Sequence, residues 1–362
     1  MPSREDFFMK KVIDKLAVTG SLRDDEFRFL LDNVDESARE YLFVKARDVA
    51  NRHFRRQIYL RGLIEISNYC KCDCYYCGIR RSNRKAERYR LSKDDILDCC
   101  RIGHDLGFRT FVLQGGEDSY FSDDLMVDMI TSIKNLFPDS AVTLSVGEKP
   151  YQSYLRYFEA GADRYLLRHE TADPHHYGKL HPPTQTLEKR MGCLYDLKAI
   201  GYQVGTGFMV GSPYQTTENL VKDLLFLKEF KPHMIGVGPF LPHCDTPFAG
   251  QAKGSMELTL LLIGIIRLML PDVLIPSTTA LGTIDPTGRE QGILAGANVI
   301  MPNLSPVNVR QKYSLYNNKA NSGLEAAEGV TDLKKRMSAL GFEISVTRGD
   351  YKQMDLSNER SS

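Results

Sequence analysis

The 362-residue sequence has almost no net charge, since 47 Lys and Arg residues are balanced by 46 Asp and Glu residues. A field this weak attracts neither nucleic acid nor an anionic membrane surface, which argues against both as general partners. Long apolar runs are also missing, because the most apolar stretch, 258–266, is flanked by charges and is too short to span a bilayer. The amino terminus turns charged at once and precedes no secretory core, so we expect a cytoplasmic protein.

Cysteine is scarce outside one short segment and is absent after Cys244. Four of the eight cysteines lie close together, at Cys70, Cys72, Cys74 and Cys77. A secreted disulfide framework would spread its cysteines over several loops. A dense group in a cytoplasmic chain is typical of a metal site.

Three of these residues, Cys70, Cys74 and Cys77, have the spacing C-x3-C-x2-C. A 4Fe-4S cluster normally takes four thiolates, so three thiolates on one loop would leave one iron open to a small molecule. The alternative is a structural zinc site with Cys72 as fourth ligand, but four ligands in so tight a loop would close poorly around a tetrahedral ion. A plain electron carrier would use four cysteines and a far smaller chain. We therefore predict an enzyme with one 4Fe-4S cluster and interpret Cys72 as a bystander.

The chain reads as helical up to about residue 53, and short apolar runs then alternate with amphipathic segments. The β-rich runs are 58–66, 110–114, 142–145, 164–168, 203–207, 234–237, 274–278 and 298–302. The helical patterns between them are 92–106, 122–137, 150–160, 186–200, 217–230, 257–270 and 286–295. This alternation predicts an α/β fold in which eight parallel strands close a (β/α)₈ TIM barrel. We expect an N-terminal helical extension (1–55), the barrel (56–313) and a short C-terminal extension (314–362).

Polar residues follow the predicted strands, at the carboxyl-terminal face where barrel enzymes carry their active sites. The second strand ends in Gln114-Gly115-Gly116-Glu117. Its two glycines permit close backbone approach, and Glu117 offers oxygens that accept hydrogen bonds from an ammonium group. The third strand offers two hydroxyl side chains at the same face, Thr143 and Ser145.

The fourth predicted strand carries two arginines, Arg164 and Arg168. Strand alternation places both on one face, so we expect both to point into the barrel. One interpretation is a salt bridge to Glu117 or Glu170, because a charge inside a barrel is costly without a partner. We favour a clamp for carboxylates of a cofactor or substrate, which the planar guanidinium suits.

The cysteine spacing after the first strand, followed one barrel unit later by Gly-Gly-Glu, resembles the radical S-adenosylmethionine (SAM) superfamily. In that family the open iron of the cluster binds the amino and carboxylate groups of SAM. One electron then breaks the sulfonium bond and frees a 5′-deoxyadenosyl radical. The resemblance implies that Tyr76 lies against the adenine and that Glu117 holds the methionine amine.

Four longer segments, 165–171, 236–243, 276–284 and 296–303, resemble more narrowly the HydE family of FeFe-hydrogenase maturases, which shares its barrel with biotin synthase and methylornithine synthase. From the strand-end motifs and this resemblance we expect cofactor contacts at Tyr76, Gln114, Gly115, Gly116, Glu117, Thr143, Ser145, Glu170, Arg190, Met301 and Tyr313. The resemblance implies an anion or substrate site at Arg164, Arg168, Thr278 and Thr279.

The family implies a substrate and partners as well. The substrate would be a cysteine-bearing iron–dicarbonyl–cyanide complex, on the way to the two-iron subcluster of the hydrogenase H-cluster. A ferredoxin or flavodoxin would be the reductant, other hydrogenase maturases are candidate partners, and the chemistry is anaerobic. The alternative is a related radical SAM enzyme on an amino-acid-like substrate, such as a methylornithine-synthase-like mutase. Some family members hold a second cluster after the segment that here contains Tyr313, but this chain has no cysteine there.

The basic run 80–90 allows three interpretations. RNA binding is one, but the net charge of +1 and the lack of an appended RNA-binding module argue against it. A solvated loop or a docking face for an acidic electron donor fits the sequence better.

Overall fold

A computed structural model describes residues 4–320 and 327–352 of the chain. The predicted C-terminal extension therefore lies partly outside the described residues, and its division from the barrel stays a prediction. The helices are α1 (Arg4–Thr19), α2 (Asp24–Asn33), α3 (Glu36–Phe54), α4 (Lys93–Asp105), α5 (Asp123–Leu136), α6 (Tyr151–Glu159), α7 (Pro174–Leu180), α8 (Leu187–Ile200), α9 (Thr217–Phe230), α10 (Met256–Met269), α11 (Thr279–Ile284), α12 (Gly288–Leu294), α13 (Val307–Arg310) and α14 (Val330–Ala339). The strands are β1 (Gln57–Leu60), β2 (Gly62–Ser67), β3 (Thr110–Gly115), β4 (Ala141–Ser145), β5 (Arg164–Leu166), β6 (Gln203–Thr206), β7 (Met209–Val210), β8 (Met234–Ile235), β9 (Gly238–Pro239), β10 (Val299–Ile300) and β11 (Glu343–Ser345).

The strands close into a parallel barrel, which confirms the predicted fold class. Six of them form one parallel sheet in the order β2-β3-β4-β5-β6-β8. Single bridges continue the circle, from Met234 to Leu274, from Pro276 to Val299 of β10, and from Asn303 back to Leu63. The seventh predicted strand, 274–278, is reduced to those bridges, because proline has no N–H to donate to a ladder.

The first predicted strand, 58–66, is not continuous. It breaks at Arg61 into β1 and β2, and only β2 joins the six-stranded sheet. β1 instead lies between β10 and β11, both parallel to it. Part of the C-terminal extension thereby pairs with the start of the barrel.

The barrel helices begin on side-chain caps, as their sequences require. Ser92, Ser122, Thr186 and Thr216 each accept a hydrogen bond from the backbone N–H three residues on, at the start of α4, α5, α8 and α9. At the other end, Gly201 closes α8 with a φ of 111°, a left-handed conformation that favours glycine. Short turns of this kind leave the irregular segments at the carboxyl ends of the strands.

The amino-terminal helices pack on the barrel wall rather than over the site. α3 lies against α10, where a Cβ on Gly264 would come within 2.4 Å of Leu42 Cδ2. α10 is buried from Thr259 to Met269, which explains its apolar sequence. Within the described residues, no helix has both the length and the apolar character needed to cross a membrane.

Candidate functional site

A cavity of about 360 Å³ opens at the carboxyl ends of the barrel strands. Its lining contains the three predicted cluster cysteines and most of the other predicted site residues: Cys70, Cys74, Cys77, Tyr76, Gln114, Gly115, Gly116, Glu117, Ser145, Arg168, Glu170, Arg190, Thr278, Thr279, Met301 and Tyr313. The structure therefore brings together residues that are up to about 240 positions apart in the chain.

The cysteine segment, residues 68–78, follows β2 and is bound directly to the end of β3. Lys71 N–H donates to Glu117 O at 3.0 Å, and Glu117 N–H donates to Cys70 Sγ at 3.4 Å. A Cβ on Gly116 would lie 2.1 Å from Tyr69 O, so only glycine allows this contact. The Gly-Gly-Glu run thus acts first as a close-packed support for the cysteines.

Arg88, which lies outside the predicted set, holds the cysteine segment from behind. The guanidinium of Arg88 donates to the carbonyls of Asn68 and Ile79, and also to those of Arg80 and Asn83. Asn68, which is fully buried, accepts from Tyr89 N–H at 2.8 Å. The basic run 80–90 therefore contains an internal brace at Arg88 as well as exposed residues such as Arg81 and Arg84, a distinction that its composition does not reveal.

Burial and neighbouring thiols shift the pKa values of the cysteines in the segment. The neighbouring Cys72 thiol lowers the pKa of Cys70 to about 7, against the effect of burial. Burial raises the pKa of Cys74 to about 11 and that of Cys77 above its usual range. Buried thiols become thiolates when a cation lies between them, so the donor set and its burial fit an iron–sulfur cluster. Cys72 also lines the cavity.

Glu117 is held beside the cysteines with its carboxylate inside the cavity. Its side chain is 8% exposed, and Oε1 accepts from Glu148 N–H at 2.9 Å while Oε2 lies 3.2 Å from Lys71 Nζ. A Cβ on Gly147, whose φ is 78°, would lie 2.1 Å from Glu117 Cγ. The position therefore suits a carboxylate that accepts hydrogen bonds from an ammonium group of a bound molecule.

Arg168 faces the cavity with part of its guanidinium unsatisfied. Its Nη2 lies 3.1 Å from Glu170 Oε2, but the two do not align as a hydrogen bond. Its buried Nε has no hydrogen-bond partner among the described residues. Arg190 lies behind it, 2.8 Å from Glu148 Oε1, with Nη1 donating to Arg168 O at 3.4 Å. A guanidinium with free donors in a cavity is suited to a carboxylate ligand.

A buried network between Arg168 and Glu170 fixes both of them. His169 is fully buried between Thr206 Oγ1 at 2.9 Å and Asp223 Oδ1 at 3.2 Å. Burial lowers the pKa of His169 to about 3, so the ring is neutral. Glu170 has a φ of 66°, a strained backbone that the surrounding hydrogen bonds must hold. Asp223 lies in a helical pattern 54 positions from His169, and no sequence signal links the two.

Two predicted site residues lie elsewhere. Arg164 and Thr143 line a separate, much smaller cavity deeper in the barrel. Arg164 Nη2 forms an ion pair with Asp350 at 2.5 Å, and its Nη1 donates to Thr110 Oγ1 at 2.9 Å. Arg164 therefore belongs to the amino-terminal floor of the barrel and does not join Arg168 at the mouth.

The predicted adenine contact has a partner that the sequence analysis missed. Tyr76 OH lies 3.2 Å from His181 Nε2, while His181 Nδ1 lies 3.0 Å from Tyr177 O. The ring of His181 stacks on Tyr177 with centroids 3.9 Å apart. His181 thus orients an aromatic ring at the cavity wall.

The segment after the predicted barrel boundary also lines the cavity. Leu315, Tyr316 and Lys319 face it beside Tyr313, whose hydroxyl lies 3.5 Å from Gln114 Nε2. The boundary at residue 313 placed these residues in an extension, because their polar sequence carries no strand or helix pattern.

Comparisons with known proteins agree with this arrangement. The Radical SAM superfamily model matches residues 64–227. The chain is 48% identical over 285 residues to the [FeFe] hydrogenase maturase subunit HydE of Thermotoga maritima, covering 79% of this chain and 81% of that protein. It is 31% identical over 343 residues to 3-methylornithine synthase of Methanosarcina acetivorans, covering 93% of each. The crystal structure of methylornithine synthase (PylB) matches with a TM-score of 0.81 at 28% identity, covering 92% of this chain and 97% of that one.

Radical SAM enzymes bind a 4Fe-4S cluster and SAM. The three cysteines are ligands suited to the cluster, and Glu117 is a hydrogen-bond acceptor suited to the ammonium group of SAM. The family model spans the three cysteines and Glu117. The identity to HydE extends over four-fifths of that protein's length. The chain therefore belongs to the radical SAM superfamily and, within the group that includes methylornithine synthase, to the HydE family.

Proposed function

We propose that this enzyme cleaves SAM reductively and acts in maturation of the FeFe-hydrogenase H-cluster, on a cysteine-bound iron–carbonyl–cyanide precursor. The observation that supports it most directly is one cavity that holds three cysteines at one side and the unsatisfied guanidinium of Arg168 at another. When bound, the cluster and SAM supply a 5′-deoxyadenosyl radical. The relative named as a hydrogenase maturase subunit supports the maturation pathway.

At the cofactor end, each residue would have a distinct task. Cys70, Cys74 and Cys77 would hold the cluster and leave one iron open. Glu117 would accept hydrogen bonds from the SAM ammonium, and Tyr76, oriented by His181, would lie against the adenine. Arg190, paired with Glu148, would keep the wall rigid.

At the substrate end, Arg168 would bind the carboxylate of the cysteine carried by the precursor. The buried hydroxyl of Thr278 has no hydrogen-bond partner within the described ranges and is free to donate or accept. Apolar side chains, among them Leu166, Met209 and Phe240, complete the wall and would keep water away from reactive species. Arg164 has no place in this substrate site.

For the electron source we propose a ferredoxin or flavodoxin that docks beside the cysteine segment, in the cytoplasm. Arg81 and Arg84 are exposed and make no ion pair among the described residues, and Arg81 N–H donates to Cys72 O at 2.8 Å. Lys179 is exposed one residue before Leu180, whose carbonyl accepts from Tyr75 N–H. An acidic partner would be attracted to this surface. Other hydrogenase maturases remain proposed partners for passing substrate on.

The proposed docking surface for the electron-donor protein can be tested directly. Reversing two charges, with Arg81→Glu and Arg84→Glu together, should slow protein-driven SAM cleavage at least tenfold at low salt. Cleavage driven by dithionite should be unchanged, and Lys334→Glu together with Lys335→Glu, both exposed on α14, serve as the charge-matched control. Equal slowing with both reductants would contradict docking at this surface.

The function itself is tested by anaerobic reconstitution followed by incubation with SAM, dithionite and the cysteine-bound iron complex. We expect consumption of SAM that depends on the complex, and loss of hydrogenase activity when the gene is deleted. A reconstituted cluster that yields no SAM cleavage would overturn the enzymatic proposal. Intact hydrogenase activity in the deletion strain would overturn the proposed pathway alone.

A second candidate is a mutase acting on an amino-acid-like substrate. The similarity to 3-methylornithine synthase, at 31% identity over 93% of each chain, favours it, and the carboxylate clamp of Arg168 would serve either substrate. Incubation with a panel of free amino acids distinguishes the two. Formation of methylornithine would favour the mutase.

A further inference from the structure

Residues 314–320, which we call the mouth segment, cross the open end of the cavity. Three hydrogen bonds tie the segment to two loops and to helix α11: Gly78 N–H to Leu315 O at 2.9 Å, Asn317 N–H to Pro242 O at 3.0 Å, and Ala320 N–H to Thr283 Oγ1 at 3.1 Å. One of those loops is the cysteine segment itself. The mouth segment therefore spans from the cofactor end to the substrate end.

Lys319 is the charged residue of this segment that lines the cavity. Its side chain is 9% exposed, and its ammonium forms an ion pair with Glu65 of β2, whose side chain is fully buried. Asn303 Nδ2 donates to the second Glu65 oxygen at 2.8 Å. Both Lys319 and Glu65 line the same cavity as the cluster cysteines.

The ion pair is coupled to a predicted cofactor contact. The Lys319 ammonium lies 5.0 Å from the ring centroid of Tyr313, within range of a cation–π interaction. Tyr313 in turn approaches Gln114 at the end of β3. Lys319 is therefore in contact with both Glu65 and the ring of Tyr313.

A buried ion pair adds little net stability, because desolvation of both charges offsets their attraction. Its effect is strongest on position: the two charges favour contact with each other, since either one alone would be a buried charge without an ion-pair partner. Glu65 accordingly specifies where the mouth segment docks.

We propose that Lys319 is a positioning residue that closes the substrate end of the cavity by docking the mouth segment on Glu65. The inference rests on the proposed radical chemistry. In a closed cavity the 5′-deoxyadenosyl radical meets only the bound substrate. In an opened cavity it takes a hydrogen atom from a C–H or S–H bond of buffer or protein, giving 5′-deoxyadenosine and a new radical on the donor.

The first test needs neither cluster nor SAM. Hydrogen–deuterium exchange of the isolated chain should be about tenfold faster or more in peptides covering 313–320 of Lys319→Met, and near normal in Lys319→Arg. Lys312→Met is the matched control, because Lys312 forms an ion pair with Glu87 at the surface, where that carboxylate is 72% exposed. Unchanged exchange in Lys319→Met, or equal acceleration in both Met variants, would overturn the proposal.

The second test measures coupling in the reconstituted enzyme. Lys319→Met should keep its iron content and SAM affinity but release several-fold more 5′-deoxyadenosine per molecule of cysteine-bound complex converted, and Glu65→Gln should do the same. Loss of iron in Lys319→Met would instead assign the residue to the cluster support and contradict the positioning role. If the wild type cleaves no SAM at all, the proposed function fails, while the exchange experiment still decides the docking of the segment.

Discussion

Two arginines that lie four positions apart in the chain reach opposite ends of this barrel and differ in how fully they are hydrogen-bonded. At the mouth, Arg168 keeps a buried Nε without a hydrogen-bond partner among the described residues. At the floor, Arg164 is satisfied by an ion pair to Asp350 and by hydrogen bonds to Thr110, Gln203 and the carbonyl of Arg348. An unsatisfied buried donor is costly and rare in native proteins. The difference indicates that Arg168 is placed for a ligand and Arg164 for stability, although Arg61 beside Arg164 also has buried donors without a partner among the described residues.

The residues after β11 supply several of the polar partners around Arg164. Arg348 pairs with Asp163 at 2.6 Å and with Asp350 at 2.9 Å, and Tyr351 N–H donates to Gln203 Oε1 at 3.0 Å. This segment covers the amino-terminal end of the barrel with its own charged groups. A catalytic role is therefore best sought at the opposite end.

The largest expected effect concerns the cysteines at the mouth. Replacing Cys70, Cys74 or Cys77 by Ser should abolish SAM cleavage, because a cluster with three protein ligands loses one of them. Iron and sulfide analysis after anaerobic reconstitution, with 5′-deoxyadenosine measured in parallel, checks this. Cys72→Ser is the control from the same loop and should retain the cluster. Loss of iron in that variant would make Cys72 a ligand and remove the open iron on which the chemistry depends.

Arg168 comes next in the order of effects. Arg168→Met should lower kcat/KM for the cysteine-bound complex about 100-fold, the loss of a charge-assisted, bidentate contact. The free energy of unfolding should change by less than about 0.5 kcal/mol, since the side chain is partly exposed and its contacts are incomplete. Steady-state kinetics and urea titration measure the two quantities. A large drop in stability with unchanged kinetics would reverse the assignment of the two barrel ends.

The sequence predicted the mouth better than the floor for a geometric reason. The cysteine spacing and Gly-Gly-Glu are local patterns, and their place after parallel strands fixes them at one face. Strand alternation correctly indicates that Arg164 points into the barrel, but it does not indicate how far along the barrel axis the side chain lies. Four residues of strand cover about 13 Å, so Arg164 and Arg168 reach opposite ends. Lys319 meets Glu65 from 254 positions away, a contact that no local pattern encodes.

Arg164 provides the matching prediction for the floor. Arg164→Met should reduce the free energy of unfolding by about 3 kcal/mol, because Asp350 loses its ion-pair partner and Thr110 and Gln203 lose hydrogen bonds. SAM cleavage by the surviving folded protein should stay within about twofold of wild type. Chemical denaturation of the apoprotein provides the first number and the cleavage assay the second. If Arg164→Met instead abolished cleavage at full stability, the deeper cavity would be part of the active site.

The smallest effect distinguishes the two ends by pH. Burial lowers the pKa of His181, which orients Tyr76 at the mouth, to about 3, below the ordinary value of about 6.5. Between those values the unfolded chain binds a proton that the folded one does not, so stability is full above about pH 6.5 and falls as the pH drops, by about 1.4 kcal/mol per unit. On the floor, burial raises the pKa of Asp350, but Arg164 and Arg348 have the larger opposite effect and lower it below its usual value. The stability that this carboxylate contributes is therefore lost only at more acidic pH. Urea titrations at pH 7 and pH 5 should therefore show a weaker pH dependence in His181→Gln than in wild type, and an unchanged one in Asp350→Asn. An equal slope in wild type and His181→Gln would mean that the mouth is not the acid-sensitive end.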